Sequence, residues 1–376
     1  MKRYLPIVLV SLLTIFIISL FLRQDGEKEH ALEAKAVVLS VDNSEMVSTG
    51  IAHIGFQTVE AMITEGRFKG TRLEAANLLL GQRDVDEIYS VGDRVILALL
   101  LEKGEIRDAK TINLVRQWWE LGLFALFILL LIIFARFTGL KALFSFVASL
   151  YILWKIFIPA LLGGASPMLF TVITLSMLTF VIIFAVAGFN KKGLSAFLGT
   201  MAGLAVSIVI TIIFGRGMNL LGMTQPFAET LIFSGHYDLD MRQIFYASVI
   251  IGASGAAMDV AMDVAASMHE IKVKRPDISM KELIMSGFNV GRAVVGTMTT
   301  TLLLAYSGGY LTMLMLFVTK DTSFMRIMNY KMVAAEIFRT LTGSIGLVMV
   351  APFTAIVAGW IYSLGRQVVS DRSPDE

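Results

Sequence analysis

The sequence predicts an all-α polytopic membrane domain of about eight transmembrane helices, into which a small β-rich extracytoplasmic domain, a barrel or a sandwich, is inserted. Of its 376 residues, 56% are hydrophobic and only 16% are charged, whereas soluble domains average about 45–50% apolar and about 25% charged residues. Apolar runs of about 20 residues, the length that crosses a bilayer core, recur along the chain. This composition disfavours a soluble enzyme, and we expect no enzymatic activity.

Eight apolar runs are long enough to form these spans. They are residues 5–22, 118–135, 142–162, 168–189, 194–214, 244–268, 293–317 and 341–362. No small-x-small cleavage site follows the first run, so we interpret residues 1–22 as an uncleaved N-terminal anchor rather than as a cleaved signal peptide. Residues 118–364 then form a seven-helix membrane domain, and residues 365–376 form a tail.

The segment between the first two spans, residues 23–117, has the pattern of β-structure. The stretches "KAVVLSV", "GIAHIGFQTV", "EAMITEGRF" and "RVILALLL" are rich in β-branched and aromatic residues. Gly, Asp and Asn separate them, and these residues are typical of turns. A small barrel or sandwich is therefore expected here. No catalytic group of residues is recognisable in this segment.

The distribution of charge predicts the orientation of the chain. Lys and Arg are concentrated in the short loops on the side of the N-terminus, and such loops face the cytoplasm. Both termini are therefore expected in the cytoplasm, and residues 23–117 outside it. The net charge is +2, and without a basic cluster we expect no nucleic-acid partner. The chain has no Cys, which excludes a thiol nucleophile and a Cys-based zinc site.

Two carboxylates in the run 244–268 are the main candidates for function. Asp259 and Asp263 are four residues apart, so a helix places them on one face, one turn apart. Each costs about 2.5–3.5 kcal/mol at the centre of a membrane, so we expect both to face protein or water rather than lipid. Two carboxylates also repel each other there, so the pair requires a proton or a cationic neighbour. The alternative is a pair that only fixes helix packing.

The next span contributes a cation and a group of hydroxyls. Arg292 has about the same predicted depth as Asp263, and an ion pair between them is one hypothesis; an Arg that reaches the headgroups is the other. Thr297 and Thr300 belong to the stretch "GTMTTTLLLAY". Together with the two carboxylates, their oxygens could form a proton or cation pathway. Alternatively, the Thr hydroxyls only satisfy carbonyls of their own helix.

The last span begins with a second charged pair. Glu336 and Arg339 are three residues apart, a spacing that permits contact on a helix, and we interpret them as a structural interfacial ion pair. The sequence does not identify a metal site. His236, Asp238 and Asp240 alternate in "GHYDLD", a spacing that could hold a metal, but a solvated loop also accounts for these residues. No phosphate-binding or other cofactor motif is present, so we expect no cofactor and no direct use of ATP.

Four stretches resemble a known family. They are "GFNKKGLSAFLGT", "GASGAAMDVAMDVAASMHEI", "SGFNVGRAVVGTMTTTLLLAY" and "EIFRTLTGSIGLVMVAPFTA", and in this order they are similar to the YibE/F-like family of bacterial multi-pass membrane proteins. The resemblance extends over the outer β-rich segment. It implies a permease or efflux protein of the bacterial cytoplasmic membrane, without an established substrate. Where the family commonly has an acidic residue and an Asn, this chain has Ala293 and Thr300, so the resemblance shifts the weight to Asp259 and Asp263, with Asp259 the safer of the two.

The sequence thus leaves two functions open. One is a permease or exporter of an unknown small solute or ion, coupled to protons or a cation through Asp259 and Asp263. The other is a non-transporting membrane component whose outer domain recruits an envelope protein. An intramembrane aspartyl protease is disfavoured, because its two carboxylates must converge from different helices. The lipid bilayer is the expected environment in every case, and a homo-oligomer is left open.

Overall fold

The computed structural model describes residues 32–83, 85–102, 104–320 and 322–364. The predicted anchor at residues 5–22 and the tail at 365–376 lie outside the described residues. The chain divides into two compact units. One contains a β-domain and the helix that follows it as far as Phe134, and the other contains the helices from Ala135 onward.

Six strands form the β-domain. They are β1 (Leu32–Asp42), β2 (Met46–Thr49), β3 (Ala52–Ile63), β4 (Arg72–Leu80), β5 (Arg94–Glu102) and β6 (Glu105–Leu114). The hydrogen-bonded order is β1-β5-β6-β4-β3, and β1 also pairs with β3, so five strands close into a barrel while β2 adds to β3. All pairings are antiparallel except that of β4 with β6. Of the two predicted forms, the barrel is therefore observed.

Alternation of side chains builds the barrel core, because successive residues of a strand point to opposite faces. The inward positions carry small and aliphatic residues from every strand of the barrel, among them Val38, Val59, Ala75, Leu97 and Ala109. Closure leaves these five strands without a free edge, which is the way small β-domains avoid edge-to-edge association.

A buried polar network ties the barrel to the loop that precedes β5. Gln57 on β3 is fully buried, and its Nε2 donates to Tyr89 O and to Asn43 Oδ1, each at 2.9 Å. Its Oε1 accepts from Tyr89 N at 2.9 Å and from Asn77 Nδ2 at 3.1 Å. Every hydrogen-bonding group of this amide therefore has a partner, as a buried polar side chain requires.

Ten α-helices follow the barrel in the described part of the chain. They are α1 (Gln117–Tyr151), which a π-helical turn (Ile152–Phe157) joins to α2 (Ile158–Leu162), then α3 (Pro167–Ala187), α4 (Lys191–Gly217), α5 (Ala228–Phe233), α6 (Met241–Lys274), α7 (Met280–Gly309), α8 (Leu311–Thr319), α9 (Phe324–Met328) and α10 (Lys331–Ser363). Two of these helices begin with a side chain that caps the first turn. Asn190 Oδ1 accepts a hydrogen bond from Gly193 N at the start of α4, and Asp240 Oδ1 accepts one from Gln243 N at the start of α6. Such caps satisfy amide groups that have no partner in the first turn of a helix.

Among the described residues, five helical segments are long and apolar enough to cross a membrane, and a sixth is obtained if α7 and α8, bent by 69° at their junction, form one span. The predicted number of about eight is not confirmed. The predicted spans 118–135 and 142–162 are counted as one run, Gln117–Leu162, but the non-helical backbone of Arg136 separates two helices within it, in agreement with the predicted division. The eighth prediction, 5–22, lies outside the described residues.

Helix α7 differs from the sequence pattern at both ends. Residues 277–288 predict a short helix along the membrane surface, but α7 runs without interruption from Met280 to Gly309. No Pro divides the two parts, and Gly287 lies within the regular helix. Ser279 and Glu282 form a capping box at the start of α7. At the other end, the predicted continuous span 293–317 is broken at Tyr310, directly after two glycines.

Small residues set the packing of the helices in the second unit. α10 packs against α4, α6 and α7. A Cβ added to Gly203 of α4 would lie 2.7 Å from Val350 Cα of α10, and one added to Gly199 would lie 2.6 Å from Thr354 Cα. These distances are too short for any side chain, so the two backbones are in direct contact, as small residues permit between membrane helices.

Candidate functional site

The two predicted carboxylates lie on the outer face of α6. Asp259 and Asp263 are both exposed, whereas the neighbouring Val260, Ala261 and Val264 are fully buried. The prediction that the two Asp share one face is confirmed. That face does not point into the packed interior, because the opposite side of α6 packs against α4 and α10.

Contacts between α6 and α7 define the register of these antiparallel helices. A Cβ on Gly287 would lie 2.4 Å from Met268 Sδ, and a Cβ on Gly291 would lie 3.7 Å from Val264 Cγ2. Because the helices are antiparallel, each residue further along α7 lies level with one residue earlier on α6. Asp259 therefore lies at about the level of Thr297. Gly252 lies two turns before Asp259 on the same face of α6. A Cβ added to Gly252 would lie 3.2 Å from Tyr306 Oη of α7. The acidic face of α6 therefore borders α7.

Arg292 is at the level of Asp263 but lies on another side of α7. Together with Val295, it lines a cavity of about 270 Å³ whose opposite wall is Val348 and Pro352 of α10. Its Nη1 donates to Asn289 Oδ1 at 3.1 Å. Among the described residues it forms no ion pair. The hypothesis of an ion pair between Asp263 and Arg292 is therefore wrong for this structure.

The Thr residues of α7 are largely engaged within their own helix. Thr297 Oγ1 donates to Val294 O at 3.0 Å, and Thr301 Oγ1 donates to Thr297 O at 3.2 Å. Thr297 and Thr300 are three residues apart, so their directions differ by only about 60° and they are neighbours on the surface of α7. Both are exposed, and within the described residues no hydrogen bond joins either hydroxyl to Asp259 or Asp263; that of Thr297 is used by its own helix.

The second predicted pair lies in a more enclosed site than the first. Arg339 Nη2 is 3.7 Å from Glu336 Oε1, and the two side chains are only 17% and 13% exposed. The same Nη2 donates to Gln225 Oε1 at 2.7 Å, and the guanidinium lies 5.9 Å from the ring centroid of Phe245. We define these three side chains, Gln225, Glu336 and Arg339, as the charged cluster. It joins α10 to the loop after α4.

Three buried polar atoms of the charged cluster have no hydrogen-bond partner within the described residues. They are Gln225 Nε2, Glu336 Oε2 and Arg339 Nε. Buried polar groups normally have partners, so each exception indicates a place where water, an ion or a ligand binds. The interpretation of Glu336 and Arg339 as an ordinary interfacial ion pair does not account for them.

The sequence analysis missed the neighbours of this cluster. Gln225 lies in a loop, 114 residues from Arg339, and carries no signal of its own. Tyr306 and Tyr310 line a cavity together with Glu336, and the stretch "YSGGY", with a tyrosine on each side of a breaking pair of glycines, is the one feature that could have identified them. Within residues 32–83, 85–102, 104–320 and 322–364, no three acidic or His side chains are grouped closely enough to hold a metal ion.

Membrane-length helices that carry ionisable side chains, together with a small closed barrel, define a polytopic membrane protein. A family model for YibE/F-like proteins matches residues 123–364, and the chain belongs to this family. The family expected from the four sequence stretches is thus confirmed. The matched range does not include the barrel, so the expected extension of the resemblance over the β-rich segment is not confirmed. No curated protein and no solved structure matches the chain.

Proposed function

We propose that the protein is a permease or exporter of the bacterial cytoplasmic membrane, with both termini in the cytoplasm and the barrel outside. In this proposal it moves a small solute or ion, and Asp259 and Asp263 couple the movement to protons or a cation. The observation that carries the proposal is the position of these two carboxylates on α6. They lie near the middle of a 34-residue helix, on an exposed face that borders α7.

The free energy of placing two carboxylates in hydrocarbon supports a pathway at this face. Two carboxylates exposed to hydrocarbon would together cost about 5–7 kcal/mol on insertion scales. A water-filled seam between α6 and α7 removes this cost, because it keeps the carboxylates hydrated. One turn separates them, or about 5–6 Å between Cβ atoms, so a single proton or cation can be shared by both.

Flux measurements test this proposal. Metabolites and metals retained by cells with and without the protein are compared first, and the solute identified in this way is then followed in proteoliposomes under an imposed pH gradient. We expect Asp259→Asn and Asp263→Asn each to lower the flux at least about tenfold, because either substitution removes a charge that takes part in coupling. Glu270→Gln is the matched control, since Glu270 is an exposed carboxylate near the end of the same helix. Unchanged flux in both Asp variants would contradict the proposal.

A second function is favoured by an observation on the barrel. Ile54 and Phe56 of β3 are paired across the strands with Leu80 and Leu78 of β4, and all four side chains are exposed. A contiguous exposed apolar patch of this kind marks an interaction surface. It supports the alternative that the outer domain recruits an envelope protein through an apolar surface.

Site-specific photocrosslinking separates the two functions. A photoreactive residue at Phe56 is compared with one at Lys110, an exposed polar position on β6. A stoichiometric protein partner captured from Phe56 alone, together with full cellular function of Asp259→Asn, would favour the recruiting role. Equal or absent capture at the two positions, with loss of function in Asp259→Asn, would favour transport.

A further inference from the structure

A second site lies at the junction of α7, α8 and α10. An open cavity of about 310 Å³ lies there between the last turns of α7, α8 and the first turns of α10. The 69° bend between α7 and α8 creates it, because a straight helix would continue past α10 and leave no recess. The volume is at the lower end of the range for small-molecule sites.

The walls of this cavity are mostly apolar. Leu303, Leu314 and Ile337 are among the residues that form them. Two aromatic side chains, Tyr306 and Tyr310, also line the cavity. A lining of this kind accommodates a hydrocarbon or aromatic group, and a small number of polar groups then fixes its orientation.

The single charged residue among those that line the cavity is Glu336. Arg339 lies close to its Oε1, at 3.7 Å, but is held away from the cavity by its hydrogen bond to Gln225. Within the described residues, Glu336 Oε2 is buried and has no hydrogen-bond partner, while the Tyr310 side chain interacts with the same carboxyl group. The cavity is therefore bordered by one carboxylate that is not fully paired, and no cationic side chain lines it to compete with a ligand.

We propose that this cavity binds a monovalent amphipathic organic cation, with its ammonium group beside the carboxylate of Glu336 and its apolar body against Leu303, Leu314 and Ile337. A protonated amine supplies the donor that the carboxylate lacks, in a charge-assisted hydrogen bond. The faces of Tyr306 and Tyr310 add the attraction of aromatic rings for a cation. An anion would be repelled by Glu336, and a neutral lipid tail would leave Oε2 without a partner.

This inference goes beyond the transport proposal and does not depend on it, because binding is measurable without flux. Three probes with one body and different charge test it: 4-phenylbutylammonium, 4-phenylbutanol and 4-phenylbutyrate. Their affinities for the purified full chain in a non-ionic detergent are measured by calorimetry at neutral pH. We expect the ammonium probe to bind at least about tenfold more tightly than the alcohol, which lacks the charge, and the carboxylate probe not to bind.

Two variants locate the binding. Glu336→Gln should lower the affinity for the ammonium probe to that for the alcohol. Ser307→Phe should abolish the binding of both probes, because Ser307 lines the cavity and the larger side chain fills it without touching the ion pair. Glu229→Gln, a substitution of an exposed carboxylate in the first turn of α5, is the control and should bind as the unaltered chain does.

Three results would overturn the proposal. The first is equal affinity for the ammonium and alcohol probes, which is the behaviour of an apolar lipid site. The second is an unchanged ammonium affinity in Ser307→Phe. The third is an unchanged ammonium affinity in Glu336→Gln, and if that variant does not fold, Ser307→Phe and the probe series still decide. None of these results bears on Asp259, so failure here leaves the flux experiment independent.

Discussion

Arg339 Nη2 donates a hydrogen bond to Gln225 Oε1 at 2.7 Å, and this bond fixes the loop after α4 to α10. The same guanidinium lies beside Glu336. One cation therefore serves two partners inside the protein. The consequences for stability can be tested with three substitutions.

Arg339→Leu should be strongly destabilising, because it leaves the buried Glu336 carboxylate without a cation. We expect a loss of about 3–5 kcal/mol in the free energy of unfolding, the usual cost of breaking a buried ion pair.

Gln225→Ala removes one hydrogen bond to a charged group and should cost about 1.5–3 kcal/mol. The double variant Glu336→Leu/Arg339→Leu should be less destabilised than Arg339→Leu. Equilibrium unfolding in mixed detergent micelles measures all three, and a double variant as unstable as the sum of its singles would argue against the pairing.

The contact between α4 and α10 should not tolerate even one additional carbon. Gly203→Ala places a Cβ 2.7 Å from Val350 Cα, so the helices must separate, at a cost of about 1–3 kcal/mol or more. Gly255→Ala is the matched control, because that α6 glycine has nothing within 4 Å of its Cβ position. Thermal unfolding of the purified chain compares the two variants. Equal melting temperatures would show that the backbones are not in close contact.

The register of α6 and α7 can be tested with introduced cysteines. The chain has no Cys of its own, so every crosslink must come from the introduced pair. Asp259→Cys with Thr297→Cys should be joined rapidly by a short bifunctional thiol reagent, because both positions lie at one level on adjoining faces. Asp259→Cys with Ser286→Cys should react far more slowly, since Ser286 lies eleven residues before Thr297 on α7, about 16 Å along the helix axis. The opposite order of rates would show that the register is wrong.

The barrel should lose stability at alkaline pH because of one tyrosine. Burial raises the pKa of Tyr89 above its ordinary value, with a smaller contribution from the carboxylate of Glu87. The folded barrel thus favours the neutral phenol, and this stabilisation is complete below the unfolded pKa of about 10 and is lost as the pH rises through the folded pKa. Tyr89→Phe removes this titration.

Limited proteolysis with an alkaline protease measures the effect on the full chain. Peptides released from within residues 32–114 are quantified at increasing pH above about 9. We expect the unaltered barrel to become sensitive at a lower pH than Tyr89→Phe. Loss of resistance at the same pH in both proteins would mean that Tyr89 does not control the alkaline limit.

Local pattern predicted the parts of the fold that depend on short-range physics. The apolar runs identified α3, α4, α6 and α10 to within a few residues at most ends, because hydrocarbon thickness fixes their length. In the barrel, β1, β3 and β5 were evident from their β-branched residues. β4 was not, since "RLEAANLLL" consists largely of good helix formers, and only its pairing with β3 and β6 makes it a strand.

The candidate site was predictable only as far as one helix extends. The i, i+4 and i, i+3 spacings correctly placed Asp259 with Asp263 and Glu336 with Arg339. Which side of α6 is covered depends on contacts with α4 and α10, and these are set by glycines far away in the sequence. Gln225 joins the charged cluster through a loop, and no periodicity identifies such a residue in advance.

The direct contact of α4 with α10 also determines what can move. At Gly199 and Gly203 the backbones of these helices touch, which leaves no side chain at those contacts to change rotamer and absorb a displacement, so the two helices should behave as one rigid scaffold. Helix α7 is different. Its first turns pack closely against α6 and α10 at Gly287 and Gly291, whereas its last turn ends at the bend before α8. We therefore expect any opening and closing of the molecule to consist of a swing of α7 and α8 about a fixed frame, with the tyrosines at the bend nearest to the hinge.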